Sequence, residues 1–146
     1  ELASILNLKI VGPNIDDKFL LDELEAQGSM LGISAQNCSP DFWLDDGDTI
    51  SVGNAKLDVF LTPGHSPGHI IFFHKPSNLA IVGDVLFAGS IGRTDLPGGD
   101  YSQLINSIKT KLWPLGENIE FVPGHGPASN FKIERSTNPF VSDNNL

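Results

Sequence analysis

Apolar residues in this chain come in short runs broken by glycine, proline and acidic residues, and the period of the runs changes along the sequence. Glu1 to Leu6 reads as the tail of a helix already under way, with no initiator methionine and no cap ahead of it. Lys9 to Val11 predicts a short apolar strand stopped by Gly12-Pro13. Between Asp16 and Gln27, Phe19, Leu20 and Leu24 lie among charged residues as a helical stripe that Gly28 can end. From Ser29 to Asp48 the chain reads mostly as loop, closing in the turn Asp46-Gly47-Asp48. Alternation then takes over. Leu57, Val59 and Leu61 share one face of a predicted strand over Lys56 to Thr62, joined to Thr49 to Val52 by the Gly53-Asn54 turn. Ile70 to His74 and Leu79 to Val82 form a second predicted pair, joined through Lys75-Pro76-Ser77-Asn78. A glycine-rich loop runs from Gly89 to Gly99. Asp100, with Gln103 three residues on, predicts a capped helix whose apolar face is Leu104, Ile105, Ile108 and Leu112 and whose end is Pro114. Ile119 to Val122 is a last short strand, and a helical turn is expected near Lys132 to Arg135. Strands and helices mixed in this way make an α/β chain, and with no repeat or linker it reads as one domain over residues 1–146.

Composition narrows the partners. A formal charge of −9 with no local basic cluster argues against nucleic acid, because binding there rests on neutralising phosphates. No apolar run approaches the roughly 18 to 20 residues of a membrane span. Cys38 is the sole cysteine, so neither an internal disulfide nor a cysteine cluster for zinc can form. That suits a reducing, cytoplasmic setting. Cys38 itself reads as an ordinary thiol, with no histidine near it in sequence to activate it. His74 reads as an exposed strand-end residue with no role, and Trp43 and Trp113 read as packing residues.

The chemistry concentrates at strand ends. His65 and His69 stand four apart, a spacing that would put both on one face of a helix, but Pro63, Gly64, Pro67 and Gly68 argue against a helix there. A different pattern stands out. Val59 to Thr62, then Pro63-Gly64, leads to His65; Leu79 to Val82, then Gly83, leads to Asp84; Ile119 to Val122, then Pro123-Gly124, leads to His125. Each is an apolar strand, a glycine that frees the turn, and a residue able to bind metal. Rigid strands in layered α/β folds hold functional groups at such loops, so three residues distant in sequence can converge. Two imidazoles and a carboxylate suit zinc or iron, and a carboxylate has two oxygens with which to bridge a metal pair.

Thr62-Pro63-Gly64-His65-Ser66-Pro67-Gly68-His69, Gly83-Asp84 and Pro123-Gly124-His125-Gly126-Pro127, in that order, resemble the second half of the metallo-beta-lactamase superfamily. Gly92-Arg93-Thr94-Asp95 and Glu134-Arg135-Ser136-Thr137-Asn138-Pro139-Phe140 are similar to its glyoxalase II-like branch, the hydroxyacylglutathione hydrolases. The resemblance implies a four-layer αββα sandwich with a two-metal site at one edge. It implies that His65 binds the first metal, that Asp84 bridges both and is central to catalysis, and that His125 binds the second. The family's remaining ligands lie in a His-x-His-x-Asp-His motif that this sequence does not contain, so the chain is expected to be a truncated domain lacking the N-terminal portion of the sandwich.

For the intact protein the resemblance implies hydrolysis of a glutathione thioester such as S-lactoylglutathione, using two divalent ions, zinc first, with iron or manganese as alternatives. Arg93 stands where glyoxalase II enzymes carry a lysine for a glutathione carboxylate, and a guanidinium can serve that role in bidentate fashion. Where those enzymes have a tyrosine after the last histidine, this chain has Gly126-Pro127. Their C-terminal helical domain, which grips glutathione, has no counterpart after Asn138-Pro139-Phe140. An iron-dependent persulfide dioxygenase shares the scaffold and the Gly-Arg-Thr-Asp motif and is the enzymatic alternative. A non-catalytic structural fragment, self-associating through sheet exposed by truncation, is the other. The 146-residue chain alone is expected to bind metal weakly or not at all and to be inactive.

Overall fold

The structure, a computed structural model, describes residues 2–145. The chain divides into two compact units, Glu1–Leu44 and Asp45–Leu146.

In the first unit, α1 spans Leu2–Leu6, where the helix tail is predicted; Glu1 lies outside the described residues. The expected strand at Lys9 to Val11 does not form. Gly12-Pro13 cuts the pairing to a single parallel bridge, Val11 to Phe42, and the Asp41 carboxylate instead accepts from the Ile10 backbone N–H at 2.9 Å. The helical stripe is broken into a 3-10 turn at Ile15–Asp17, α2 at Lys18–Asp22 and α3 at Leu24–Leu31. Gly28 lies inside α3 instead of ending it, because Ala35 packs so close that a Cβ there would meet its side chain at 2.6 Å. The helix stops at Gly32, whose left-handed φ of 70° lets its N–H reach back to the Gly28 and Ser29 carbonyls.

The second unit is built on one sheet. Its strands are β1 (Thr49–Val52), β2 (Ala55–Leu61), β3 (Ile70–His74), β4 (Leu79–Gly83), β7 (Glu120–Pro123) and β8 (Ser129–Asn130), in the order β1-β2-β3-β4-β7-β8. A separate hairpin, β5 (Leu86–Phe87) with β6 (Ser90–Ile91), occupies part of the segment expected to be glycine-rich loop. α4 (Tyr101–Ser107) begins where predicted, with the Asp100 carboxylate accepting from Gln103 N–H at 2.9 Å, and continues through a π-helical stretch at Ile108–Leu112. The tail forms α5 over Phe131–Thr137, longer than the single turn expected, with Asn130 as its cap.

Register decides which face is core. Phe60 pairs with Ile71, Phe73 with Ala80, and Ala80 with Phe121, and this face joins Leu104, Ile108, Leu112 and Phe131 in one buried cluster. The alternating Leu57, Val59 and Leu61 lie on the opposite face, in line with Phe72, Ile81 and Val122. Phe60 reaches the core cluster from a face it shares with Lys56 and Asp58, whereas the uniformly apolar face of β2, with the fully buried Val59, lies away from that cluster, so alternation alone points to the wrong face. Strand direction decides where the loops fall. β2 and β4 each run antiparallel to β3, and β7 runs parallel to β4, so β2, β4 and β7 all end at the same edge.

Candidate metal centre

That shared edge brings the three strand-end residues together. His65 follows β2, Asp84 follows β4 and His125 follows β7. The loop between β2 and β3 is a tight connection and not a helix, closed by Thr62 N–H donating to the His69 carbonyl at 2.7 Å. α4 pins it from outside: the Asp100 N–H donates to the Gly64 carbonyl and the Ser107 hydroxyl to the Pro63 carbonyl, both at 2.8 Å. Gly124 N–H donates to the Gly83 carbonyl at 2.8 Å, tying the other two strand ends to each other. Gly124 also leaves the room Asp84 needs, since a Cβ there would lie 2.3 Å from Asp84 Oδ1.

The two imidazoles address different oxygens of one carboxylate. His65 Nε2 lies 3.7 Å from Asp84 Oδ2, and His125 Nε2 lies 3.7 Å from Asp84 Oδ1. His65 Nδ1 is 2.8 Å from the Arg93 carbonyl. A carbonyl can only accept, so Nδ1 carries the proton, and in the neutral form of the ring it is Nε2 that keeps the lone pair, on the side of the carboxylate. Two acceptors then face each other across a gap too long for a hydrogen bond, yet short enough for one ion with bonds of about 2.0–2.2 Å to touch both. A backbone carbonyl on the far nitrogen is the usual support for a metal-binding histidine. The donor set thus fits a divalent ion at each end of Asp84, with one imidazole and one carboxylate oxygen at each. Among the described residues, no three such side chains converge on a single point.

His69 does something else. Its Nε2 accepts from the Asp84 backbone N–H at 3.1 Å, and its Nδ1 lies 3.3 Å from Thr62 Oγ1. Burial, with the neighbouring His65 adding to it, pushes its pKa down to about 4. The neutral ring holds the loop and the backbone under Asp84.

The three residues line a cleft of about 390 Å³, whose other wall includes Phe87, Ile91 and Pro127. His125, at 73% exposure, stands at the open side, while His65 is recessed at 17%. Arg93 also lines the cleft, but its guanidinium makes a bidentate pair with Asp95, both bonds 2.7 Å, which holds the Asp95 carboxyl down at about 2. Sequence reading missed Phe87, whose ring stacks on the His125 imidazole with centroids 4.5 Å apart. It named Glu134 only as part of a family motif and gave this buried carboxylate no role of its own. The available signals were the apolar Leu86-Phe87 before Gly89, and a carboxylate on α5 four residues before the amide that caps it.

A profile of the Metallo-beta-lactamase superfamily matches residues 1–125. The chain belongs to that superfamily. It is 39% identical over 144 residues to hydroxyacylglutathione hydrolase GloC of Haemophilus influenzae, spanning 97% of this chain and 68% of the relative. It is also 39% identical over 119 residues to the probable metallo-hydrolase YqgX of Bacillus subtilis, there spanning 82% of this chain and 56% of the relative. Among solved structures, TTHA1623 in a di-iron-bound form matches with a TM-score of 0.85 at 33% identity, covering 96% of this chain and 68% of that one. ETHE1 from Myxococcus xanthus matches with a TM-score of 0.69 at 24% identity, covering 97% of this chain and 67% of that one, a likeness of fold. The mixed sheet with helices on one face is accordingly part of a metallo-beta-lactamase sandwich.

Proposed function

We propose that this site serves metal-dependent hydrolysis of glutathione thioesters of the S-lactoylglutathione type, with His65, Asp84 and His125 as ligands of two divalent ions. One observation carries the reading: each imidazole faces its own oxygen of a single carboxylate, as a bridging aspartate requires. The similarity to GloC supports the substrate class. When bound, the ions would supply a hydroxide near neutral pH and polarise the thioester carbonyl.

The protein's own part is placement. The Arg93 carbonyl fixes the His65 tautomer, and His69 holds the Asp84 backbone. Phe87, Ile91 and Pro127 give the acyl group an apolar wall and keep bulk water off the carbonyl. Arg93, at the rim, would exchange Asp95 for a glutathione carboxylate, replacing one bidentate pair by another. Water adds to the carbonyl, the C–S bond breaks, and the thiolate leaves without needing a strong general acid. Zinc is the first choice of metal, with iron or manganese as alternatives.

The chain offers two imidazoles and one carboxylate here, so the remaining ligands must come from other protein segments or another copy. A protein that carries the full set should release glutathione from S-lactoylglutathione, lose the activity to a chelator, and lose it by about two orders of magnitude or more on Asp84→Asn. The isolated 146-residue chain should show negligible turnover. One iron per chain with oxygen uptake on glutathione persulfide, and no thioesterase activity, would replace this reading by the dioxygenase one, which the Gly92-Arg93-Thr94-Asp95 loop also suits. The exposed Ile81 and Val122, side by side on the second sheet face, support self-association of the isolated chain. Sedimentation of the pure chain tests that.

A further inference from the structure

Glu134 lies on α5, far in sequence from the strand ends, and is 1% exposed. Its carboxylate accepts three hydrogen bonds. Oε2 accepts from the Gly89 backbone N–H at 2.9 Å and from Asn138 Nδ2 at 2.8 Å, and Oε1 accepts from the Ser129 hydroxyl at 2.5 Å. Asn138 is fully buried, and its Nδ2 also donates to the Ser90 carbonyl at 3.0 Å. Gly89 lies in the turn of the β5–β6 hairpin, Ser90 opens β6 opposite Phe87, and the Phe87 ring lies on the His125 ring. Ser129 lies four residues past His125, on β8. One carboxylate therefore ties the hairpin that stacks on His125 to the strand that comes after it.

A carboxylate is an expensive group to bury, and apolar side chains would pack α5 against the hairpin at lower cost. What apolar packing lacks is direction. Three bonds at one carboxylate fix where the hairpin sits and how it is turned. His125 needs such help more than His65 does. Its ring is mostly exposed and, among the described residues, has no hydrogen bond like the one His65 Nδ1 makes to Arg93.

We propose that Glu134 and Asn138 are positioning residues for His125: they lock the β5–β6 hairpin so that the Phe87 ring sets the plane of the imidazole and aims Nε2 at Asp84 Oδ1. This deepens the reading of His125 as a ligand, and its first test needs no metal, so the two can fail separately. The probe is the chemical shift of the His125 ring protons in the isolated chain, which a stacked Phe87 displaces from solution values. His74, whose ring bonds to Ser77 away from the cleft, serves as the control.

Glu134→Ala should return the His125 signals to those of an unstacked histidine while the His74 and core methyl signals stay in place. Glu134→Gln should keep the displaced shift, since its amide oxygen can accept from Gly89 and Asn138 and its NH2 can donate to the Ser129 hydroxyl. Phe87→Leu, which leaves the lock intact, should release the ring as Glu134→Ala does. In a protein carrying the complete ligand set, Co2+ affinity should fall about tenfold in Glu134→Ala and be restored in Glu134→Gln. An unmoved His125 ring in folded Glu134→Ala overturns the proposal; if that variant does not fold, an unmoved ring in Asn138→Ala does so. An unmoved ring in Phe87→Leu overturns it as well.

Discussion

His69 shows how a histidine beside a candidate metal centre can support it without being one of the proposed ligands. Its Nε2 is already used, accepting from the Asp84 backbone, so protonation there would break the bond that holds the centre's carboxylate in place. Acid therefore works against the native state. Burial holds its folded pKa at about 4, below the ordinary value of 6.5, so as pH falls from about 6.5 to about 4 the unfolded chain gains a proton that the native chain refuses. Stability is full above about 6.5 and should fall by up to about 3 kcal/mol across that window. Urea denaturation at pH 7 and pH 4.5 measures this, and His69→Gln should flatten the acid loss; an equally steep loss in that variant would assign it to other groups. The partner of His69, the Asp84 N–H 15 residues away, could be named only from the fold.

The elements around the site were legible where one local signal sufficed. Asp100 and Gln103 announced the start of α4, and the carboxylate caps it at 2.9 Å. Asp100→Ala should cost about 1 kcal/mol in urea unfolding, since the Gln103 N–H loses its partner. The same helix start also fastens the His65 loop, but through the Asp100 backbone N–H, which alanine keeps. Metal affinity in a protein with the full ligand set should therefore change less than twofold, and a large loss would show that the cap itself orders the site. The β5–β6 hairpin was not legible. Two-residue strands carry too little pattern to stand out from a glycine-rich loop, and their stability comes from Glu134 and Asn138, more than 40 residues further on. Gly28 misled for a related reason: a glycine needed for close packing looks the same in sequence as one that ends a helix.

At the scale of the whole molecule, the second unit's core joins three sheet strands to α4, the π-helical stretch and α5 around Phe121 and Phe131, both fully buried. Phe121→Ala should destabilise the chain by about 3–5 kcal/mol in chemical denaturation. Because Phe121 sits on β7 just before His125, the same change should also loosen that strand end, seen as faster amide exchange at Gly124. The sequence by itself determined most of the strands, the capped helix and the three residues able to bind metal, because each rests on a pattern of a few adjacent positions. Only the tertiary structure decided that the three meet: strand direction and order carry β2, β4 and β7 to one edge, and no local period encodes which strand lies beside which. It also decided the roles within the site. His65 and His69 look alike in Pro63-Gly64-His65-Ser66-Pro67-Gly68-His69, but one ring leaves a lone pair toward Asp84 Oδ2 and the other spends it on the Asp84 backbone. Hydrogen-bond partners distant in sequence set that difference, and they exist only once the chain has folded.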